Sequence, residues 1–150
     1  MSVYETVIVG TDGSASSFTA VDRAAAVAVA CGAKLVILCA YRPLGKHESN
    51  VAQDKLGEEV AYQVVGSAPA EDTLRDAQER AVLSGARDVE TLAIEGDAVP
   101  SLLKWAKKRS AGLIVVGNRG LSTIAGRILG SVPAEVARKA DVDVLIVHTT

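Results

Sequence analysis

Aromatic side chains are nearly missing from this sequence. Tyr4, Phe18, Tyr41, Tyr62 and Trp105 are the whole set, 3% of the chain. A base-stacking platform or an aromatic cage for a cation needs more than they can supply. Cysteine is as scarce. Cys31 and Cys39 are too far apart for a CxxC redox site, and His47 and His148 are too far apart to complete a zinc site with them. Both are expected to be reduced, buried thiols. Neither sign of charge prevails: 16 Lys+Arg stand against 18 Asp+Glu, for a formal charge of -2. That is not the basic footprint of a nucleic-acid binder. No basic segment followed by an apolar stretch opens the chain, and no apolar run approaches the ~20 residues of a membrane span. These absences lead us to expect a soluble, cytoplasmic protein without nucleic-acid or membrane partners.

Several catalytic signatures are missing as well. There is no G-x-G triplet, hence no dinucleotide fingerprint, and no G-x-x-x-x-G-K-[ST] of a Walker-type nucleotidase. No G-x-S-x-G elbow marks a hydrolase, and neither His47, in the polar loop, nor His148, near the C-terminus, has an evident nucleophile beside it. No residue is nominated as catalytic.

What is present is an alternation of apolar strands and amphipathic helices. The chain has 150 residues, 49% of them apolar, the size of one domain spanning 1–150. Its core must be aliphatic. Thr6 to Thr11, Lys34 to Tyr41, Val89 to Glu95, Leu113 to Gly117 and Val142 to His148 read as strands. Their short, nearly continuous apolar runs suit strands buried on both faces, and the charge in Val89 to Glu95 places that one near a sheet edge. Helices are expected after each of the first four. Ser14 is positioned to cap the first and Gly32 to end it in the left-handed conformation. Further helices are expected from Pro69 to Ser84, after Asp97, and from Pro133 to Ala140. Lys104, Lys107, Lys108 and Arg109 near the end of the third fit the helix dipole and a solvated face. The polar stretch Arg42 to Ala68 is long for a loop, with a weak helix expected near Val51 to Val64. This order calls for an α/β fold, a doubly wound five-stranded parallel sheet with helices on both faces. Its ligand crevice then lies at the carboxyl ends of the strands, near Asp12, Tyr41, Glu95 and Gly117.

The informative stretch is Gly117 to Val132, GNRGLSTIAGRILGSV. Gly120 follows Gly117 after two residues, and Gly130-Ser131 follows after nine more. Glycines admit left-handed angles and close approach of a ligand, and successive amides in such a turn form an anion-binding nest. Ser131 is expected to cap the last helix, with Pro133 in its first turn. The first amides of that helix then face an anion favoured by the dipole. Arg119 and Arg127 stand near. The alternative is plain structure, with Gly117 as a strand end and Gly130 as a hinge. Arg119 reads equally as phosphate-facing or solvent-facing.

The spacing G-x2-G-x9-G-[ST] after the fourth strand resembles the nucleotide-binding motif of the universal stress protein family. Gly117, Gly120, Gly130 and Ser131 match it without a gap. Gly10-Thr11-Asp12 resembles the family's adenine-side motif. The run from Gly117 to the C-terminus is similar to that of small mycobacterial members that bind cyclic AMP. The resemblance implies a three-layer adenine-nucleotide alpha-hydrolase-like fold with strand order 3-2-1-4-5. It implies that Asp12 lies against adenosine, with Gly10 and Thr11 on the same edge, and that the contact at the end of the second strand is made by the main chain of Ala40. It also implies that Val116, Gly117, Asn118, Arg119 and Gly120 wrap the ribose and first phosphate, and that Gly130, Ser131 and Val132 hold phosphate.

Cyclic AMP and ATP share every group this motif touches. ATP would profit from a magnesium ion held by carboxylates, and no acidic residue occurs between Gly117 and Ser131. Cyclic AMP is therefore the preferred ligand, and magnesium is expected only with ATP. No residue is nominated to orient a water for hydrolysis. The expectation is a non-enzymatic sensor or buffer in the stress response. The alternatives are a slow ATPase or phosphotransfer protein, and a stress scaffold acting through residues 42–68. The apolar last strand, Val142 to His148, would be a pairing hazard at an edge. With the family's habit of joining last strands, it implies a homodimer.

Overall fold

The computed structural model describes residues 2–43, 64–119 and 130–149. Among them are five strands: β1 (Thr6–Gly10), β2 (Lys34–Tyr41), β3 (Val89–Glu95), β4 (Leu113–Gly117) and β5 (Asp143–Val147). They alternate with α1 (Ala15–Cys31), α2 (Ser67–Leu83), α3 (Ala98–Lys108) and α4 (Ser131–Lys139). The sheet is parallel throughout, in the order β3-β2-β1-β4-β5. This is the expected doubly wound arrangement, with β3 at an edge as its charge suggested. The weak helix expected over 51–64 lies outside the described residues, apart from Val64.

Alternation along the strands divides the core between two faces. Val7, Val9, Leu35, Ile37 and Val115 point to one, where α1 and α2 cover them. Ile8, Val36, Leu38, Ile114 and Val116 point to the other, under α3 and α4. Each of these aliphatic side chains is almost fully buried, which stabilises the fold by about 1.5–3 kcal/mol apiece before entropy is counted. The scarcity of aromatics is met with alanine. Ala20, Ala24, Ala25 and Ala28 of α1 and Ala70, Ala77 and Ala81 of α2 form the contact faces. Small side chains there let both helices lie close to the sheet.

Helix ends follow local chemistry. Ser14 caps α1 by accepting the amide of Ser17 at 3.1 Å. Gly32 ends it at φ 63, and the amide of Ala33 closes on the carbonyl of Ala28 at 2.8 Å. The last helix corrects the sequence reading. Gly130, with φ -61 and ψ 164, holds the cap position, so α4 opens at Ser131 and Ser131 is its first residue, not its cap. The reason is that the Gly130 amide donates to the Asn118 carbonyl at 3.0 Å, which fixes where the chain turns into the helix.

Arg109 also departs from expectation. Its Nε and Nη2 donate to the two carboxylate oxygens of Glu90, each at 2.8 Å, and Lys34 Nζ adds a third contact at 3.1 Å. The Arg109 guanidinium, helped by Lys34 and opposed by partial burial, holds the Glu90 carboxyl down at about 2. Lys108 and Arg109 also lie 4.7 and 4.8 Å from the centre of the Trp105 ring. This cluster ties α3 to the amino ends of β2 and β3.

Candidate functional site

At the opposite end of the sheet, the winding reverses between β1 and β4. Connections leave these neighbours toward opposite faces, and a crevice opens over their carboxyl ends. It is a half-open cleft, lined for the most part by apolar surface. Its floor comes from β1 and β2, with Gly10, Thr11 and Asp12 from the first and Leu38 and Ala40 from the second. Val116, Gly117 and Arg119 enter from β4 and the residues after it, and Val132 from α4.

The β1–α1 turn is built from hydroxyls and one carboxylate. The Ser17 hydroxyl donates to the Ser14 carbonyl at 2.9 Å. Its single proton is thereby used, so the Thr11 hydroxyl is the donor in their 2.8 Å contact. Thr11 Oγ1 in turn accepts the Gly13 amide at 3.2 Å, and Asp12 Oδ1 accepts the Ser14 amide at 2.9 Å. Gly13 is required here: its φ is 86, and a Cβ would stand 2.9 Å from Thr73 Oγ1. The turn leaves Asp12 half-buried at the crevice, with one oxygen engaged.

The glycine loop corrects the sequence reading in one respect. Gly117 does not take a positive φ, and Gly130 does not either. The value of Gly117 is room. A Cβ at Gly117 would lie 3.4 Å from Thr149 Cγ2 and 3.7 Å from Ser16 Oγ, so the position is already enclosed on that side. The first amides of α4 have no intrahelical partner, Pro133 has none to offer, and the first turn carries no acid. Free amides and the helix dipole make that terminus electropositive.

Of the expected site residues, Gly10, Thr11, Asp12 and Ala40 line the crevice on one side. Val116, Gly117, Arg119 and Val132 line it on the other. Gly120 lies outside the described residues. Gly130 and Ser131 stand at the start of α4 without lining it. The Asn118 side chain has a different task. Its Oδ1 accepts the Thr149 amide at 3.0 Å and the Thr149 hydroxyl at 2.8 Å. An oxygen facing that amide turns Nδ2 toward His148 Nδ1, 3.3 Å away, so this histidine nitrogen is the acceptor and carries no proton. Asn118 thus fastens the residues after β5 to the start of the glycine loop.

Sequence reasoning missed Ser14, Ser17, Arg42, Asp97 and Leu102, which also line the crevice. Arg42 had a readable signal, since it follows Leu38 and Ala40 at the strand period of two. Leu102 and Asp97 come from the β3–α3 side and carry no local mark. Cys39 is inert beneath the floor: burial, then the Asp12 charge, push its thiol up to about 12. Among the described residues, no group of three or more His, Cys, Asp or Glu side chains is placed to hold a metal ion. No described helix is long and apolar enough to cross a membrane.

Fold and crevice together define a doubly wound α/β protein with a helix N-terminus free of acidic residues beside a switch-point pocket. The sequence model of the universal stress protein family matches residues 3–148, and the chain belongs to that family. It is 57% identical to universal stress protein Rv1636 of Mycobacterium tuberculosis over 150 residues, the full length of both. A crystal structure of a universal stress protein in complex with cAMP shares 48% identity and a TM-score of 0.75, over 98% of each chain. The universal stress protein from Archaeoglobus fulgidus in complex with dAMP has the same fold, at 22% identity and a TM-score of 0.66 over 96% of this chain and 98% of that one.

Proposed function

We propose that this protein binds adenine nucleotides, cyclic AMP before ATP, and acts as a cytoplasmic sensor or buffer rather than an enzyme. The observation that carries this is the coincidence of two things. Gly10 to Asp12 and Val116 to Gly117 line one crevice, and a relative at 48% identity is a cAMP complex. Asp12 and the main chain of Ala40 take the adenosine end. Gly117, Gly120 and the amides of Ser131 and Val132 take the phosphate, with Gly130 and the Ser131 hydroxyl beside them. Asn118 serves by holding the loop, and Arg119 adds a positive charge at the mouth. The absence of carboxylates between Gly117 and Ser131 favours a singly charged ligand that needs no magnesium. Titration calorimetry with cyclic AMP, AMP and ATP, with and without Mg²⁺, tests this. Cyclic AMP should bind tightest, and magnesium should alter only ATP. Absence of binding below millimolar would sink it, and phosphate release from ATP at a useful rate would restore the enzymatic alternative.

The same reading includes a homodimer through Val142 to His148. β5 is a sheet edge, and its Val144, Leu145 and Ile146 are only half-buried. Such an edge invites a second copy in two-fold pairing. Val144→Pro removes one amide from this strand and should give a monomer in light scattering. A folded variant that remains dimeric would exclude this mode.

A further inference from the structure

A second groove opens at the other end of the sheet, between α3 and the residues that lead from α4 into β5. Its floor is apolar, with Leu103 and Ala106 from α3, Ile114 from β4, and Val142, which is 37% exposed. Lys104 and Lys107 of α3 stand on one bank, and Lys139 at the end of α4 on the other. α3 thus divides its cations. Lys108 and Arg109 lie over the Trp105 ring, while Lys104 and Lys107 border the groove. The helix dipole accounts for Lys107 and Lys108 in the last turn, but Lys104 lies before that turn. The chain does little to neutralise this rim. Among the described residues, Lys107 reaches Asp141 at 3.5 Å, Lys139 reaches Glu135 at 3.7 Å, and Lys104 meets no carboxylate. The Lys107 and Lys139 side chains are 80% and 52% exposed, and pairs so long and so wet are weak and open readily.

The turn beside the groove supplies an independent sign. α1, α2 and α3 end alike, with the amides of Ala33, Ala86 and Ala111 closing on the carbonyls of Ala28, Ala81 and Ala106 at 2.8, 3.0 and 2.8 Å. The residue before each closing amide has a positive φ, 63 at Gly32, 102 at Gly85 and 53 at Ser110. The first two are glycine, as this motif prefers. Ser110 is the only described residue other than glycine with a positive φ, and its Cβ makes that conformation unfavourable. Glycine would serve the turn better. What the serine adds is a hydroxyl on the lining of the groove.

We propose that this groove docks an acidic amphipathic helix of a partner protein. An apolar floor between two helices takes the apolar face of a third. Leu103 to Ser110 spans about two helical turns, so the seat fits side chains at i, i+3, i+4 and i+7. Cations stand on both banks, so one acidic headgroup would answer only one of them. A helix with carboxylates on either side of an apolar ridge answers both, and the Ser110 hydroxyl donates to one of those carboxylates. The site is separate from the nucleotide crevice, and the proposal does not depend on what that crevice binds.

The test is fluorescence anisotropy with two labelled helical peptides of roughly 16 residues, each with leucines at i, i+3, i+4 and i+7. One carries glutamates on both flanks of the leucine stripe and the other carries lysines. The glutamate peptide should bind the wild type below about 100 μM, and at least tenfold more tightly than the lysine peptide. Lys104→Glu with Lys107→Glu should lower its affinity about tenfold, and Lys139→Glu should lower it further. Ser110→Gly should weaken the peptide severalfold while raising the thermal midpoint, opposite signs that a purely structural serine would not produce. Cyclic AMP titrations should be the same for the wild type and all of these variants. Equal affinity for the two peptides, no binding of either up to about 1 mM, or undiminished binding by the folded double lysine variant overturns the proposal. So does a change of oligomeric state in that variant by light scattering, which would seat a second copy of this chain in the groove instead.

Discussion

The two ends of the sheet treat charge in opposite ways. At the amino end, Glu90 receives both arms of Arg109 at 2.8 Å and Lys34 at 3.1 Å, so its acceptor capacity is largely used. At the carboxyl end, Asp12 engages one oxygen with a local amide, and Asp97 leaves its helix uncapped to touch Arg42 at 3.4 Å. The first arrangement is finished within the chain and can serve only stability. The second keeps hydrogen-bonding capacity in reserve, which is what a site must do to bind anything. The bidentate, partly buried pair at the amino end is the more closely held of the two.

This contrast is open to breakage. Gly117→Thr should have the largest effect, lowering cyclic AMP affinity on the order of 100-fold by filling the ligand's approach. Gly117→Ala is the companion variant: its single added Cβ clears Thr149 Cγ2 at 3.4 Å, so its thermal unfolding should move little. Undiminished affinity in the folded variant would remove Gly117 from the site. Asp12→Ala should follow, with about a tenfold loss for adenosine-containing ligands and a smaller one for inorganic phosphate. Equal losses for both would mean that Asp12 only shapes the turn. Glu90→Gln should have the smallest effect, about 1 kcal/mol in urea unfolding at pH 7, with nucleotide affinity untouched. Its pH dependence has a fixed sign. The Glu90 carboxyl sits at about 2 in the folded protein against an ordinary 4.5. Its contribution is therefore complete above 4.5 and drains away as pH falls toward 2. The stability gap between wild type and Glu90→Gln should close over that window, and a gap that persists at pH 2 would separate the pair from the stability it is assigned.

The fold was legible because its signals are local. Apolar runs gave β2 and β4, and a run broken by Glu90 and Thr91 gave the edge strand β3, each with its observed ends, and Ser14 and Gly32 bound α1 as their backbone chemistry dictates. The lining of the crevice was legible where a motif carried it, as at Gly10 to Asp12 and at Gly117. It was not legible where a partner is remote. Arg109 reads as one more cation at a helix end because Glu90 lies on a strand earlier in the chain, beyond any helical spacing. Asn118 reads as a loop residue because its partners, His148 and Thr149, follow a different strand. Asp97 reads as a cap, and its backbone is one; only the fold reveals that its side chain faces Arg42.

Trp105 has a practical consequence. It is the sole tryptophan, and it lies at the amino end of the sheet between Lys108 and Arg109, away from the crevice. Its fluorescence is therefore a built-in gauge of the scaffold that should stay silent during a nucleotide titration. A change in emission on adding cyclic AMP would mean that the two ends are in mechanical communication through α3, whose first residue lines the crevice and whose last turn carries the indole.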